Sequence, residues 1–411
     1  MKWLPVQEQM KIIGQGVEEI IPEEEMQKKL ERAVKENQPL RIKQGFDPTA
    51  PDVHLGHTIG LRKLKQFQEL GHQVILIVGD YTGMVGDPSG LSETRPQLTH
   101  KEVMKNAKTY QEQFFKVVDK EKTEARFNGE WFSKMSFMDV MRLASKVTVA
   151  RLLERDDFAN RYATNQPISL HELFYPVMQA YDSVAITADV EIGGTEQKFN
   201  LLMGRQVQQL HGQEPQIAIT LPVLEGIDGI QRMSKSLGNY VGISEKPSEM
   251  FGKLMSIPDG LVIRYLKLLT PVTSEEIEKK SRAMASGSIN PRDLKSELAE
   301  TIVGIYHSKT LAASARSEFD RIFRDKGIPD ELPLTEVVAP GGKLWIVNLL
   351  KDAGLVTSGS EARRLVRQGA VEVDGVIITD EGTVIGLVQE KEVLIKVGKR
   401  RFARVRASNK D

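Results

Sequence analysis

The chain has 411 residues, of which 56 are basic, 56 are acidic and none is cysteine. The length suits two or three domains, and the charge balance excludes a global positive field for nucleic acid while leaving room for a local basic patch. The lack of cysteine excludes disulfides and thiolate metal sites, and no apolar run approaches the ~20 residues of a membrane helix, so we expect a cytoplasmic protein that does not interact with membranes.

The N-terminal half alternates strand-like and helix-like segments. Short apolar runs predict buried strands at 40–42, 74–78, 184–186 and 217–219. Helical patterns lie between them, and residues 101–150 indicate helices and an insertion that covers the sheet. This alternation predicts a Rossmann-like, doubly wound parallel α/β sheet in residues 1–245, with ligands at the carboxyl ends of its strands.

A strand-to-helix turn is predicted at His54-Leu55-Gly56-His57, because a helical pattern of leucines and Phe67 follows it. Such a turn presents free backbone N–H groups and the helix dipole to phosphate. Gly56 has no Cβ, so a flat adenine ring can approach the backbone. Taken alone, the histidine pair also fits a metal site or two core residues, although zinc needs about four ligands and no cysteine is present.

A second short motif, Arg232-Met233-Ser234-Lys235-Ser236, follows the strand predicted at 217–219. By itself it fits an ordinary polar loop. Together with the histidine turn it indicates nucleotidyl transfer, because a Ser-Lys-Ser loop can close on ATP phosphates from the opposite side and stabilise their developing charge.

The C-terminal third predicts three segments. Residues 246–325 have a helical pattern with breaks at Pro258 and Pro291, and residues 326–341 have the Pro and Gly content of a linker. Residues 342–411 predict a small α+β domain in which Ser360 caps a helix and residues 393–395 form a strand. The basic side chains that we expect on its surface, as contacts for RNA phosphates, are Arg363, Arg364, Arg367, Arg400 and Arg401.

These motifs, in this order, resemble the class I aminoacyl-tRNA synthetases and, among them, the bacterial tyrosyl-tRNA synthetases. The resemblance runs nearly end to end. It includes Gly45–Thr49, the His54–His57 turn, Gly86–Gly90, Tyr175–Asp182, Gly193–Gln197, the 232–236 loop and the C-terminal domain.

The resemblance implies a class I catalytic domain, an α-helical anticodon-binding domain and an S-four-type RNA-binding domain. It implies that L-tyrosine is activated with ATP and Mg²⁺ to tyrosyl-adenylate and pyrophosphate, and that tyrosine then passes to the 3′ end of tRNA(Tyr). It also implies a homodimer with no protein-bound metal.

The resemblance also assigns the nucleotide site. It places catalytic groups at two histidines, one threonine and two cations: His54, His57, Thr49, Lys235 and Arg232. The further ATP contacts that we expect are Gly56, Glu196, Met233, Ser234 and Ser236.

The amino-acid site centres on Tyr175, Gln179 and Asp182, whose spacing places them on one helix face. The resemblance assigns Tyr175, Gln179 and Asp87 to the α-ammonium, Asp182 to the phenolic hydroxyl and Gln197 to the region of the substrate carboxyl. A buried carboxylate left unpaired by phenylalanine disfavours that substrate, a discrimination already known for a tyrosyl-tRNA synthetase.

Four positions depart from the family pattern. Lys43 stands where many members have tyrosine, and it can either donate to the phenolic oxygen or pair with Asp182. Arg232 replaces the usual lysine, Glu196 replaces a common aspartate, and Leu91 stands where a basic residue is frequent, leaving Arg95 as the main cation of that loop.

Three other functions compete with this interpretation. A tryptophan-specific relative shares the fold and both motifs, but Tyr175, Gln179 and Asp182 favour tyrosine. An RNA-binding scaffold without catalysis conflicts with the intact His54, His57 and Lys235. A cytidylyltransferase-like enzyme explains neither the Ser-Lys-Ser loop nor the C-terminal domain.

Overall fold

A computed structural model describes residues 3–48, 51–87, 98–323, 332, 334–388, 391–398 and 401–408. The chain divides into two compact units, Met1–Ala312 and Ala313–Asp411.

The α-helices of the described residues follow in chain order: α1 (Val6–Gly14), α2 (Glu23–Glu36), α3 (Leu55–Glu69), α4 (Thr82–Val85), α5 (His100–Phe114), α6 (Gly129–Phe132), α7 (Phe137–Ala144), α8 (Val149–Leu152), α9 (Asp156–Ala163), α10 (Leu170–Ala185), α11 (Lys198–Leu210), α12 (Pro247–Met255), α13 (Val262–Leu269), α14 (Ser274–Ala285), α15 (Pro291–Tyr306), α16 (Lys309–Phe323), α17 (Ile346–Asp352) and α18 (Gly359–Arg367). The β-strands are β1 (Glu19–Ile21), β2 (Arg41–Phe46), β3 (Gln73–Val78), β4 (Thr123–Phe127), β5 (Val190–Gly194), β6 (Ile217–Leu221), β7 (Leu334–Val337), β8 (Lys343–Trp345), β9 (Val371–Val373), β10 (Val376–Ile378), β11 (Val384–Gly386), β12 (Val393–Val397) and β13 (Arg401–Ala407).

The first unit contains a six-stranded sheet in the order β1-β6-β5-β2-β3-β4. The five strands from β6 to β4 run parallel, and β1 pairs antiparallel with β6 at the edge. From β2 the chain proceeds through β3 to β4, whereas β5 and β6 lie on the other side of β2. The strand order therefore reverses between β2 and β5, which is the point where open α/β sheets bind ligands. This arrangement confirms the predicted doubly wound fold.

The sheet opens at that reversal point. Strand β2 pairs with β3 at six positions, from Arg41 to Phe46. In the described part of the chain its ladder with β5 is limited to Ile42 and Lys43. The carboxyl halves of β2 and β5 are thus not hydrogen-bonded to each other, which leaves room for a ligand between them.

The structure corrects two predicted elements of this sheet. The strands expected at 74–78 and 217–219 are confirmed in β3 and β6, and 40–42 overlaps β2. Residues 184–186 were predicted wrongly as a strand, because they end helix α10 and the next strand is β5. Residues 101–150 contain helices as expected, and they also contain strand β4, which pairs with β3.

The helical segment after the sheet is confirmed in α12 to α16. Pro291 does not interrupt a helix, because it is the first residue of α15, where its missing N–H has no cost. The domain boundaries at residues 245, 325 and 341 stay predictions. Residues 334–337 of the expected linker form β7, which pairs with β13.

The second unit has a five-stranded sheet in the order β10-β9-β12-β13-β7 and a two-stranded sheet, β11-β8. The sheets and the helices α17 and α18 enclose an apolar core that includes Leu350, Val366 and Ile395. The predicted helix cap, Ser360, is wrong by two residues. Ser358 caps α18, and its hydroxyl accepts a hydrogen bond from the N–H of Glu361 at 3.2 Å.

In the described ranges, no helix combines the length and the apolar character that crossing a membrane requires.

Candidate active site

A cavity of about 910 Å³ lies at the carboxyl ends of β2, β3, β5 and β6, where the strand order reverses. Both sequence motifs contribute to its lining. The predicted site residues that line it are His54, Gly56, His57, Asp87, Tyr175, Gln179, Asp182, Glu196, Gln197, Arg232, Met233, Ser234, Lys235 and Ser236.

Backbone pairing joins the histidine turn to the segment that follows the second motif. His54 and Gly242 form an antiparallel bridge. The N–H of Leu55 donates to the Val241 carbonyl at 2.9 Å, and the N–H of Ile243 donates to the Val53 carbonyl at 3.0 Å. The segment that follows the Ser-Lys-Ser loop is therefore attached to the start of helix α3.

The two histidines begin α3 and contact each other. The backbone N–H of His54 donates to Nδ1 of His57 at 3.2 Å, and the ring centres are 3.8 Å apart. Burial lowers the pKa of His57 to about 4, and burial together with the neighbouring His57 lowers the pKa of His54 to about 2. Both rings are therefore neutral near pH 7. Because Nδ1 of His57 accepts, its Nε2 carries the proton and can donate to a ligand.

Gly56 is required by the packing of this turn. A Cβ at this position would lie 3.0 Å from the ring of His54 and 3.8 Å from the side chain of Met233. The glycine thus prevents crowding against the ring of His54, whereas the distance to Met233 would be an ordinary van der Waals contact.

The second motif lies in a hairpin that is fixed at its base. Glu225 and Arg232 form an antiparallel bridge, and the N–H of Met233 donates to the Leu224 carbonyl at 2.7 Å. The buried Asn239 accepts the N–H of Ser234 at 2.8 Å and donates to Asp228 at 2.7 Å. These contacts hold the loop against the cavity.

The ammonium of Lys235 pairs with the carboxylate of Asp52 at 2.6 Å. The side chains are 37% and 46% exposed, so water screens the pair and its contribution is at most about 1 kcal/mol. Asp52 also lines the cavity. Asp52, which lies two residues before His54, is a site residue that was not predicted from the sequence.

Tyr175 is buried and donates its hydroxyl to Oδ2 of Asp47 at 2.9 Å. The other oxygen of Asp47 accepts from Thr82 at 2.7 Å. Burial, followed by the charge of Asp47, raises the pKa of Tyr175, which keeps the phenol a donor. Gly79 makes room for this arrangement, because a Cβ there would lie 2.1 Å from Asp47 Oδ1. Asp47 belongs to the Gly45–Thr49 motif but was not predicted as a site residue.

A chain of hydrogen bonds connects the other groups expected around the α-ammonium. Nε2 of Gln197 donates to Asp87 at 2.7 Å. The buried Asn200 donates to the side-chain oxygens of Gln197 at 2.9 Å and Gln179 at 3.0 Å. Arg155 pairs with Asp87 at 3.1 Å. No motif in the sequence indicates Asn200 or Arg155 as site residues.

Asp182 lines the cavity with 3% of its surface exposed. Its carboxylate accepts from Nε1 of Trp131 at 2.9 Å and from Asn128 at 3.4 Å. Burial raises the pKa of Asp182 to about 7, although Lys43 and the two hydrogen bonds act in the opposite direction. This buried carboxyl keeps acceptor capacity in either protonation state and can therefore accept a hydrogen bond from a hydroxyl group.

Lys43 does not form the predicted pair with Asp182. Its ammonium is buried and lies 2.9 Å from the carboxylate of Glu191. The reason is the sheet register, because Lys43 and Glu191 are opposite each other on β2 and β5. Lys43 is not one of the described residues that line the cavity.

The arginines of the second unit that were predicted to bind RNA are at its surface. Arg363, Arg364 and Arg367 are exposed on α18. Arg367 donates to Glu381 at 2.8 Å, and Arg401 pairs with Glu361 at 2.8 Å. The remaining predicted positions that lie outside the described residues are Thr49, residues 88–90, Leu91, Arg95 and Arg400.

Comparison with known proteins identifies the class. Residues 35–324 match the family of class I tRNA synthetases for W and Y, and residues 344–387 match the S4 domain. The fold, the joined motifs and the C-terminal domain thus define a class I aminoacyl-tRNA synthetase.

Individual relatives narrow the class to one family. The tyrosine–tRNA ligase of Carboxydothermus hydrogenoformans is 56% identical over 408 residues, covering 98% of this chain and 99% of the relative. That of Moorella thermoacetica is 54% identical over 400 residues, covering 97% and 96%. The tyrosyl-tRNA synthetase of Archaeoglobus fulgidus, solved with L-tyrosine, shares the fold at 22% identity with a TM-score of 0.63, over 76% of this chain and 100% of that one. The chain belongs to the tyrosine–tRNA ligases.

Proposed function

We propose that this tyrosine–tRNA ligase forms tyrosyl-adenylate in the cavity of the first unit and then transfers tyrosine to the 3′ end of tRNA(Tyr). In the first step a carboxylate oxygen of tyrosine attacks the α-phosphate of ATP, and pyrophosphate leaves. The observation that carries the proposal is the backbone pairing of His54 with Gly242, which places a neutral histidine turn and a lysine loop on one cavity.

ATP binds between the two motifs, as its Mg²⁺ complex. No cluster of three potential ligands for a metal ion is found in the described ranges, so we assign the ion to the phosphates as part of the substrate. His54 and His57 donate hydrogen bonds to the phosphates as their charge increases, and Lys235 and Arg232 neutralise the leaving pyrophosphate. The remaining nucleotide contacts in this proposal are Gly56 and Met233 with adenine, Glu196 with ribose, and Thr49, Ser234 and Ser236 with phosphates.

Tyrosine binds beside the nucleotide, with its phenolic end at Asp182. Tyr175, Gln179 and Asp87 surround the α-ammonium, and Gln197 lies near the carboxyl group. The support for this orientation is the contrast between the two ends. The hydrogen-bonded chain from Asp87 to Gln179 suits an ammonium, whereas Asp182 lies deep in the cavity with 3% exposure.

The second unit binds tRNA through Arg363, Arg364, Arg367, Arg400 and Arg401, and α12 to α16 bind the anticodon end. The S4 match over residues 344–387 supports an RNA-binding role. We further propose that the protein acts in the cytoplasm, as its relatives' role in translation implies, and that it forms the homodimer implied by the family resemblance.

The test is ATP–pyrophosphate exchange with tyrosine, phenylalanine and tryptophan as alternative substrates. We expect exchange with tyrosine to exceed the other two by at least roughly a thousandfold, because a site that binds a hydroxyl discriminates strongly against its absence. Equal exchange with phenylalanine would remove Asp182 from its assigned role. Exchange that survives in a His54→Ala, Lys235→Ala double variant would place catalysis elsewhere.

A further inference from the structure

The buried pair of Lys43 and Glu191 lies behind the amino-acid site rather than in it. Both side chains are at most 1% exposed. Breaking a buried ion pair is strongly destabilising, and an apolar pair of similar size often serves stability as well. Stability alone therefore does not explain why two charges occupy the centre of the sheet.

Each carboxylate oxygen of Glu191 accepts hydrogen bonds from two donors. Oε1 accepts from Lys43 at 2.9 Å and from Nε2 of Gln179 at 3.1 Å. Oε2 accepts from the Ser183 hydroxyl at 3.1 Å and from the amide of Gln216. Since a carboxylate only accepts, the Gln179 amide must present its NH₂ group to Glu191.

This constraint determines which atom of Gln179 faces the cavity. With its NH₂ on Glu191, Gln179 directs its oxygen to Asn200 at 3.0 Å, and the residue lines the cavity. We infer that this oxygen is the atom that an α-ammonium in the cavity meets. An α-ammonium is a donor only, so it binds the amide oxygen and is repelled by the NH₂. The orientation of one amide thus decides whether Gln179 attracts or repels the substrate.

Lys43 fixes the carboxylate that enforces this orientation. Its ammonium donates to Ser183 Oγ at 2.7 Å and to the Gln179 backbone carbonyl at 2.9 Å, in addition to its pair with Glu191. It therefore contacts both ends of the arrangement, the carboxylate and the backbone of the residue that is being oriented.

We propose that the Lys43–Glu191 pair is a positioning device for the substrate's α-ammonium, which acts by locking the amide of Gln179 with its oxygen toward the cavity. The inference rests on the proposed role of Gln179. It differs from a contact between Lys43 and the phenolic hydroxyl, because the α-ammonium is common to tyrosine and phenylalanine.

The test compares a double variant, K43M/E191Q, with a matched control, R161M/E172Q. Arg161 and Glu172 form another buried pair, each 3% exposed, with Glu172 on the same helix α10 as Gln179. In K43M/E191Q we expect KM for tyrosine and for phenylalanine to rise by the same factor, roughly tenfold or more, with kcat within about threefold. The control should lose stability and keep both KM values.

Three further variants make the result decisive. E191Q alone should raise KM less than about threefold, because the donors of Lys43 hold the new amide oxygen in the place of Oε1. Q179A tests whether Gln179 binds the α-ammonium at all, in which case KM should rise for both amino acids. If the double variant does not fold, S183A removes the hydroxyl that bridges Lys43 and Glu191, and KM should rise about threefold for both substrates.

Each other outcome overturns the proposal in a distinct way. Wild-type KM in K43M/E191Q or S183A, with a raised KM in Q179A, makes the pair purely structural. A loss confined to tyrosine places Lys43 at the hydroxyl. An unchanged KM for tyrosine and phenylalanine in Q179A would show that Gln179 does not bind the α-ammonium, and the proposal would then be wrong.

Discussion

Asp182→Asn removes a carboxyl group that the folded chain surrounds almost completely. Burial raises the pKa of Asp182 from 3.8 to about 7, against the opposing effect of Lys43. An acid with a higher pKa in the folded chain than in the unfolded chain favours folding less as the pH rises, because the unfolded chain loses its proton first. The variant has no such titration, so its stability relative to wild type should increase with pH.

The size of this change follows from the two pKa values. Because Asp182 ionises more readily in the unfolded chain, its titration lowers the free energy of unfolding of the wild type by about 2 kcal/mol at pH 5 and by about 4 kcal/mol at pH 8. Between these pH values the free energy of unfolding of Asp182→Asn should therefore gain about 2 to 3 kcal/mol over wild type. The substitution also changes contacts such as that with Asn128. This change contributes equally to the stability difference at both pH values, so it cancels when the two pH values are compared.

The same substitution should reduce selectivity for tyrosine. A hydrogen bond to a charged group contributes roughly 1.5–3 kcal/mol, so kcat/KM for tyrosine should fall by roughly 10–150-fold relative to that for phenylalanine. The variant would then be the more stable and less selective enzyme above pH 7, as expected where a functional site carries buried charge.

Urea unfolding of the full chain at pH 5, 6.5 and 8, followed by circular dichroism, measures the stability difference. Asp182→Ala serves as a control, because it removes the same titration with a different change in packing and must show the same pH increment. A difference from wild type that stays constant with pH would refute the burial argument. Equal losses of kcat/KM on both amino acids would refute the role at the hydroxyl.

Four further changes separate the parts of the site. His54→Ala and Lys235→Ala should each slow adenylate formation by roughly 10²–10³-fold with an unchanged KM for tyrosine, as rapid-quench assays can measure, because these groups act mainly in the transition state. Asp52→Asn should lower KM for ATP by up to about fivefold in pyrophosphate exchange, since it frees Lys235 from a pair that contributes at most about 1 kcal/mol. A chain that ends at Phe323 should keep pyrophosphate exchange and charge tRNA at least roughly tenfold more slowly, with a shallower salt dependence of tRNA binding.

Different results would contradict each of these expectations. A raised KM for tyrosine with normal turnover would move His54 or Lys235 to the amino-acid site. An unchanged or raised KM for ATP in Asp52→Asn would show that Asp52 does not compete with the nucleotide. Undiminished charging by the shortened chain would exclude the second unit from tRNA binding.

The sheet could be predicted from the sequence wherever a strand is apolar on both faces. Strands β3 and β6 were found for this reason. Residues 184–186 were misassigned because three apolar residues at the end of a buried helix show no period that distinguishes them from a strand. The true strand, β5, contains Glu191, and nothing local reveals that Lys43 neutralises this charge.

The site could be predicted to the extent that its residues belong to local motifs. His54, Gly56 and His57 lie together at the start of α3, so their proximity to one another can be read directly from the sequence. Trp131 contacts Asp182, and Asn200 contacts Gln179, from elements that are separate in sequence, so no local spacing rule predicts these contacts. The position of Lys43 could not be deduced because it depends on the register of two strands that are far apart along the chain.

The attachment of Val241 and Ile243 to the start of α3 also governs the order in which the enzyme matures. The two partners are separated by almost half of the chain, and every strand from β3 to β6 lies between them. Closing so long a loop has a large entropic cost, so this contact forms only after the intervening sheet has folded. A nascent chain that has emerged as far as the sheet already contains the histidine turn, but it acquires a nucleotide site only when the ribosome has released the segment that fastens the turn in place.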